Sequence, residues 1–165
     1  MRTLLLGCLL AVACAGPRTA RSPSLVGKSV DVTARDLDGH EVRVSRGWAK
    51  AAVVDFWATW CEPCRDQLRM LGDLAAEIRP LGVEVYAVSF DEDRAAVEEF
   101  LARTPVSFPV LWDKGGASLA EKLEVTRLPT TVVLDRSGVV RAVHLGFEGT
   151  ERTEIAREVR QILSE

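Results

Sequence analysis

Apolar positions change period along the chain, and each change marks an element. Residues 51–57, Ala51-Ala52-Val53-Val54-Asp55-Phe56-Trp57, are apolar throughout except for Asp55, the pattern of a strand buried on both faces. Beyond it Leu68, Leu71, Ala75 and Ile78 recur at helical spacing, predicting a helix over 65–78 that ends near Arg79-Pro80-Leu81-Gly82. Gly72 inside that helix costs about 1 kcal/mol relative to alanine without breaking the pattern. A second apolar strand is predicted over 83–89. Asp91-Glu92-Asp93 then supplies acidic capping for a helix that turns Val97, Phe100 and Leu101 inward and stops before Pro105.

The flanking patterns are shorter. Upstream, 29–34 and 41–44 bracket Asp36-Leu37-Asp38-Gly39, where Asp-Gly signals a β-hairpin. Downstream, 110–112 reads as an extended edge or a loop and 117–123 as one brief helix. Residues 130–135 and 139–145 form two strands around the Arg136-Ser137-Gly138 turn, and a helix over 150–163 carries Ile155, Val159 and Ile162 on one face. The expected class is α/β: a central mixed β-sheet flanked by helices on both faces, with an N-terminal β-hairpin extension.

Composition narrows this to one domain. At 165 residues, 47% hydrophobic and 27% charged, the chain suits one globular domain with a short extension. A net charge of -3 with no basic stripe gives no reason to expect nucleic acid as a partner. Residues 1–14 carry one positive charge and then an apolar run shorter than the ~20 residues of a membrane span, as a secretory signal does. Ala11-Val12-Ala13-Cys14 resembles a bacterial lipobox, so lipidation on Cys14 is the expected anchor; a cut after Ala13 or Ala15 would instead release a soluble protein. Residues 15–25, rich in Pro, Arg, Ser and Thr, read as a flexible tether, and the folded domain is expected over 26–165. The expected location is extracytoplasmic, in a bacterial periplasm or cell envelope.

The candidate chemistry lies in Trp60-Cys61-Glu62-Pro63-Cys64, between the buried strand and its helix. Thiol–disulfide exchange runs through a thiolate. A helix N-terminus stabilises negative charge there, and Pro63 in the first turn loses no hydrogen bond. Cys61 is therefore expected as the exposed nucleophile and Cys64, one turn in and more buried, as the resolving thiol. Trp60, Glu62 and Pro63 tune the site; the Glu62 charge tempers thiolate stabilisation and tilts the site toward a reductant. A purely structural bridge with two intervening residues would constrain almost no chain. Zinc would need two further ligands, and His40 and His144 lack ligand spacing, so no metal or organic cofactor is expected.

Asp55 is costly to bury charged and is expected to be wholly or partly protonated near neutral pH. Its strand position suits a place beneath Cys64, where it would accept that thiol's proton. In Leu128-Pro129-Thr130, proline at the first residue of a strand is tolerated, and a tight bend accommodates a cis bond as well as a trans turn.

Val54-Asp55-Phe56-Trp57-Ala58, the Trp60-Cys61-x-Pro63-Cys64 motif and Pro129-Thr130-Thr131 together resemble the thioredoxin fold. More narrowly, Cys-Glu-Pro-Cys, Ser89-Phe90-Asp91-Glu92, Phe108-Pro109-Val110 and Leu128-Pro129-Thr130-Thr131 are similar to the TlpA/ResA group of extracytoplasmic thiol-disulfide oxidoreductases. The resemblance implies a cis-proline at Pro129 packed against a redox disulfide Cys61-Cys64, and a substrate strand bound beside Leu128, Pro129 and Thr130. It also implies reduction of disulfides in envelope proteins, often apocytochrome c, with electrons from a membrane carrier. Two features depart from the cytochrome-maturation branch. Asp55 follows thioredoxin, and Thr130-Thr131 stands where that branch often has an acidic residue, so the substrate stays open.

Two other readings share the fold. A peroxiredoxin-like peroxidase would need Pro and Thr arranged upstream of its reactive cysteine, where this chain has Ala58-Thr59-Trp60. A non-catalytic module would use the groove near Trp60 and Pro129 to bind a peptide or a metal.

Overall fold

The computed structural model describes residues 24–44 and 49–165; Cys14 and the signal segment lie outside them, as does residues 15–23 of the tether. In chain order the elements are β1 (Val32–Asp36), β2 (Glu41–Val44), β3 (Ala51–Trp57), α1 (Glu62–Ile78), β4 (Val83–Ser89), α2 (Arg94–Arg103), β5 (Val110–Trp112), α3 (Leu119–Lys122), β6 (Thr130–Asp135), β7 (Val140–Leu145) and α4 (Glu151–Leu163). They build one seven-stranded sheet in the order β2-β1-β5-β4-β3-β6-β7.

The all-apolar run becomes the middle of that sheet. β3 is buried at every residue, lies parallel to β4 and pairs antiparallel with β6. Alternation along it sends Val53, Asp55 and Trp57 to one face and Val54 and Phe56 to the other. The first face packs on Leu68, Leu71 and Leu74 of α1, Val97 and Phe100 of α2, and Ile155 and Val159 of α4. The second packs on Leu119 and Leu123 near α3 and on Leu25, Val32 and Val44. Each such side chain contributes about 1.5–3 kcal/mol on burial. Helices cover both faces unequally, three on one and the short α3 on the other.

Three local expectations shift. β5 is an interior strand rather than an edge or loop, parallel to β4 and antiparallel to β1, so the hairpin joins the main sheet through it. Its three residues were too few to show a period. The brief helix expected over 117–123 narrows to α3, Leu119–Lys122, and a 3₁₀ turn at Lys114–Gly116 precedes it. Leu25, at the end of the expected tether, is 3% exposed in the second core, and Gly27 N–H donates to the Val140 carbonyl at 2.8 Å.

Candidate active site

α1 begins three residues earlier than its apolar period showed, because Glu62, Pro63 and Cys64 form its first turn and Cys61 is its N-cap. Cys61 has extended backbone angles and no side-chain capping bond, so its sulfur sits at the unsatisfied N-terminal end of a 17-residue helix. Cys61 and Cys64 are joined by a disulfide with Cα atoms 5.3 Å apart. Cys64 is 0% exposed and Cys61 only 6%, so in this oxidised state the outer cysteine is itself largely buried rather than exposed as expected.

Cys61 borders a cavity of about 510 Å³, lined also by Trp60, Phe90, Val125, Arg127 and Leu128 among others. Trp60 is 70% exposed on its rim, and Glu62 and Pro63 line its helix side. The Leu128–Pro129 bond is cis, as the resemblance implied. Leu128 lines the cavity, whereas Pro129 and Thr130 are buried behind it. The Pro129 carbonyl accepts from Gly146 N–H at 2.8 Å, and the Thr130 hydroxyl donates to the Arg127 carbonyl at 2.8 Å.

Asp55 lies on the α1 side of β3 and is fully buried. Its Oδ1 accepts from the Thr131 hydroxyl at 2.7 Å and from Gln67 Nε2 at 3.0 Å. Burial pushes its pKa up to about 7, against the lowering effect of the bonds from Thr131 and Gln67. Gln67 stands one helical turn after Cys64 on the same side of α1, so its bond joins Asp55 to the helix turn next to the one that carries the inner cysteine.

A second buried carboxylate shapes the approach to Cys61. Asp91 accepts from Thr59 N–H at 3.0 Å, from the Thr59 hydroxyl at 2.6 Å and from the Ser89 hydroxyl at 2.8 Å. Trp112 Nε1 donates to its carbonyl at 2.7 Å. The end of β4 thus fixes the loop between β3 and the cysteines. Capping of α2 falls to Asp93, which accepts from Ala95 N–H at 2.9 Å. The composition of the acidic stretch did not separate these two roles.

Gln67, Thr131 and Asp91 complete the site beyond what the motif named. Gln67 did leave a signal: it falls in the buried stripe Cys64, Leu68, Leu71, Ala75, where an amide needs a reason. The two histidines stand apart from the cysteines. Buried His144 has Glu158 at 2.8 Å and Glu154 at 3.3 Å on its ring nitrogens. His40 meets Asp36 at 3.2 Å in the hairpin turn, with Asp38 nearby, and Asp36 Oδ1 is occupied by the Asp38 and His40 N–H groups.

Known proteins resemble this chain in sequence and fold. Residues 26–143 match the model of the AhpC/TSA family. The thiol-disulfide oxidoreductase ResA of Geobacillus kaustophilus (strain HTA426) is 33% identical over 137 residues, covering 82% of this chain and 78% of that protein. ResA of Geobacillus thermodenitrificans (strain NG80-2) is 32% identical over 151 residues, covering 88% and 86%. Among solved structures, a Chlorobium tepidum protein described as a DsbE thiol:disulfide interchange protein superposes with a TM-score of 0.75 at 26% identity, covering 84% of this chain and 96% of its own. Fold, disulfide and relatives agree: the chain belongs to the AhpC/TSA family of thioredoxin-like proteins, alongside the ResA thiol-disulfide oxidoreductases.

Proposed function

We propose that this thiol-disulfide oxidoreductase works as a reductant of protein disulfides, with Cys61 attacking and Cys64 resolving. The observation that carries the reading is the Cys61–Cys64 disulfide, with Cys61 at the N-cap of α1 and facing a cavity walled by Trp60 and Leu128. In the reduced protein the Cys61 thiolate attacks one sulfur of a substrate disulfide, forming a mixed disulfide and releasing the first substrate thiolate. Cys64 gives its proton to Asp55 and attacks Cys61 Sγ; the protein disulfide closes and the second substrate thiolate leaves. The substrate gains two electrons and the dithiol loses them. Glu62 beside Cys61 disfavours an over-stabilised thiolate, and so a strong oxidant.

The substrates are disulfide-containing envelope proteins, and apocytochrome c is the candidate that the ResA resemblance names. A membrane electron carrier returns the site to its dithiol form. The signal-like segment before Cys14 supports an extracytoplasmic location with a lipid on Cys14; palmitate labelling that Cys14→Ser abolishes would establish that anchor. No helix among the described residues is long and apolar enough to cross a membrane. Insulin-disulfide reduction tests the activity: the native chain should turn over, and Cys61→Ser should lose at least ~100-fold. Fast peroxide consumption with slow insulin reduction would favour a peroxidase, and loss of insulin reduction in Cys61→Ser with peptide binding intact would leave the groove as a separable docking site.

A further inference from the structure

We propose that Gln67 is a positioning residue for the proton transfer from Cys64: it holds Oδ1 of Asp55 and leaves Oδ2 as the oxygen that receives the proton. This rests on the reading of Asp55 as the acceptor. Gln67 is 0% exposed, and its Nε2 donates both to Asp55 Oδ1 at 3.0 Å and to Thr131 Oγ1 at 2.5 Å. The Thr131 hydroxyl donates to the same Oδ1 at 2.7 Å. Three elements, α1, β3 and β6, therefore meet in a closed triangle of hydrogen bonds. Oδ1 carries two donors, while Oδ2 is buried with no hydrogen-bond partner among the described residues.

The two oxygens are thereby made unequal. Lone pairs engaged by donors are poorer bases, and the unengaged oxygen keeps its full capacity to take a proton. In the resolving step the Cys64 S–H bond breaks, the proton goes to Oδ2, and the sulfur's electron pair forms the bond to Cys61 Sγ as the substrate thiolate departs. An amide suits this task because it is neutral. A lysine or arginine at 67 would hold Asp55 permanently ionised, and a glutamate would set two buried acids against each other. The neighbours of Asp55 in register are Ala87 on β4 and Thr131 on β6. His144 of β7 lies opposite Thr131, with Glu154 and Glu158 of α4 on its ring nitrogens. Changes at Gln67 leave all of these groups in place.

Stopped-flow mixing of the reduced protein with an Ellman-type aromatic disulfide separates the two cysteines. The first thiolate released reports attack by Cys61, and the second reports closure by Cys64. The second-phase rate of the native chain should rise with pH through about 7. Gln67→Met keeps the length and removes the donor, so that limb should move up by about one pH unit, a roughly tenfold slower second phase below it. The first phase should keep its native pH dependence. Thr131→Val should move the limb in the same direction, and Thr131→Ser, which retains the hydroxyl, should bring it back.

A folded Gln67→Met protein with an unmoved limb would overturn the proposal. If that variant does not fold, Thr131→Val carries the test, and its unmoved limb would overturn it equally. Asp55→Asn separates the two claims. If it leaves the limb in place, the acceptor reading itself fails; if it removes the limb while Gln67→Met is silent, only the role of Gln67 fails.

Discussion

Asp55 and Thr131 face each other across the β3–β6 pair, and the threonine hydroxyl donates to the buried carboxyl at 2.7 Å. That bond ties the strand before the cysteines to the strand after the cis-proline, so the proposed proton acceptor and the segment proposed to meet substrate lie in one sheet. Sequence distance conceals the relationship, since the two residues are 76 positions apart.

The same carboxyl makes stability depend on pH. Burial raises Asp55 from an ordinary 3.8 to about 7, so the folded chain keeps a proton that the unfolded chain releases. The contribution is fully present below about pH 4 and is lost as pH rises through about 7. On this account the oxidised protein loses on the order of 4 kcal/mol across that window from this one group, and Asp55→Asn flattens the loss. Urea midpoints measured across the window decide it; parallel profiles for the two proteins would contradict the assignment.

Asp91 gathers three donors from the segments that hold Cys61. Asp91→Ala strands those donors and should cost about 2–4 kcal/mol in urea unfolding. Insulin reduction should fall about tenfold or more, because the loop bearing Thr59 and Trp60 loses its anchor. Native activity in a measurably destabilised variant would confine Asp91 to stability.

Trp60 offers the opposite combination. At 70% exposure it packs little of the native state, so Trp60→Ala should change stability by less than about 0.5 kcal/mol. As an exposed aromatic rim beside Cys61 it should contribute about 1–2 kcal/mol to protein-substrate binding, seen as a roughly tenfold higher KM. The rate with a small aromatic disulfide should stay within about twofold, and an equal loss on both substrates would exclude a docking role.

Two glycines differ in sign. A Cβ at Gly72, inside α1, would meet nothing within 4 Å, so Gly72→Ala should stabilise by about 0.5–1 kcal/mol. Gly116 has φ +70° and a Cβ there would lie 2.8 Å from the Phe90 ring. Gly116→Ala should destabilise by about 2–3 kcal/mol through the left-handed backbone and displacement of that ring from the cavity wall. Thermal midpoints of the two variants should move in opposite directions.

Much of this was legible because its physics is local. The unbroken apolar run of β3, the helical spacing of Leu68, Leu71 and Ile78, and the cysteine pair between them required no distant partner to interpret. β5 was not legible, since three residues show no period and their interior place depends on β1 and β4. Asp91 was misleading for a similar reason: an acidic residue before a helix reads as a cap until Thr59 is brought to it from 32 positions away. Gln67 could have been found as a polar residue in a buried stripe, but its partners, Asp55 and Thr131, come from two other elements. The motif names the reacting atoms, and long-range contacts decide what surrounds them.

Trapping the mixed disulfide tests most directly whether Cys61 attacks and Cys64 resolves. Cys64→Ser, expressed in an envelope-containing host and isolated after acid quenching, should carry dithiothreitol-sensitive protein adducts on Cys61, and Cys61→Ser should carry far fewer. Mass spectrometry of the released proteins would name the substrates. Adducts accumulating on Cys64 of the Cys61→Ser protein, or none on Cys61 of the Cys64→Ser protein, would contradict the assignment.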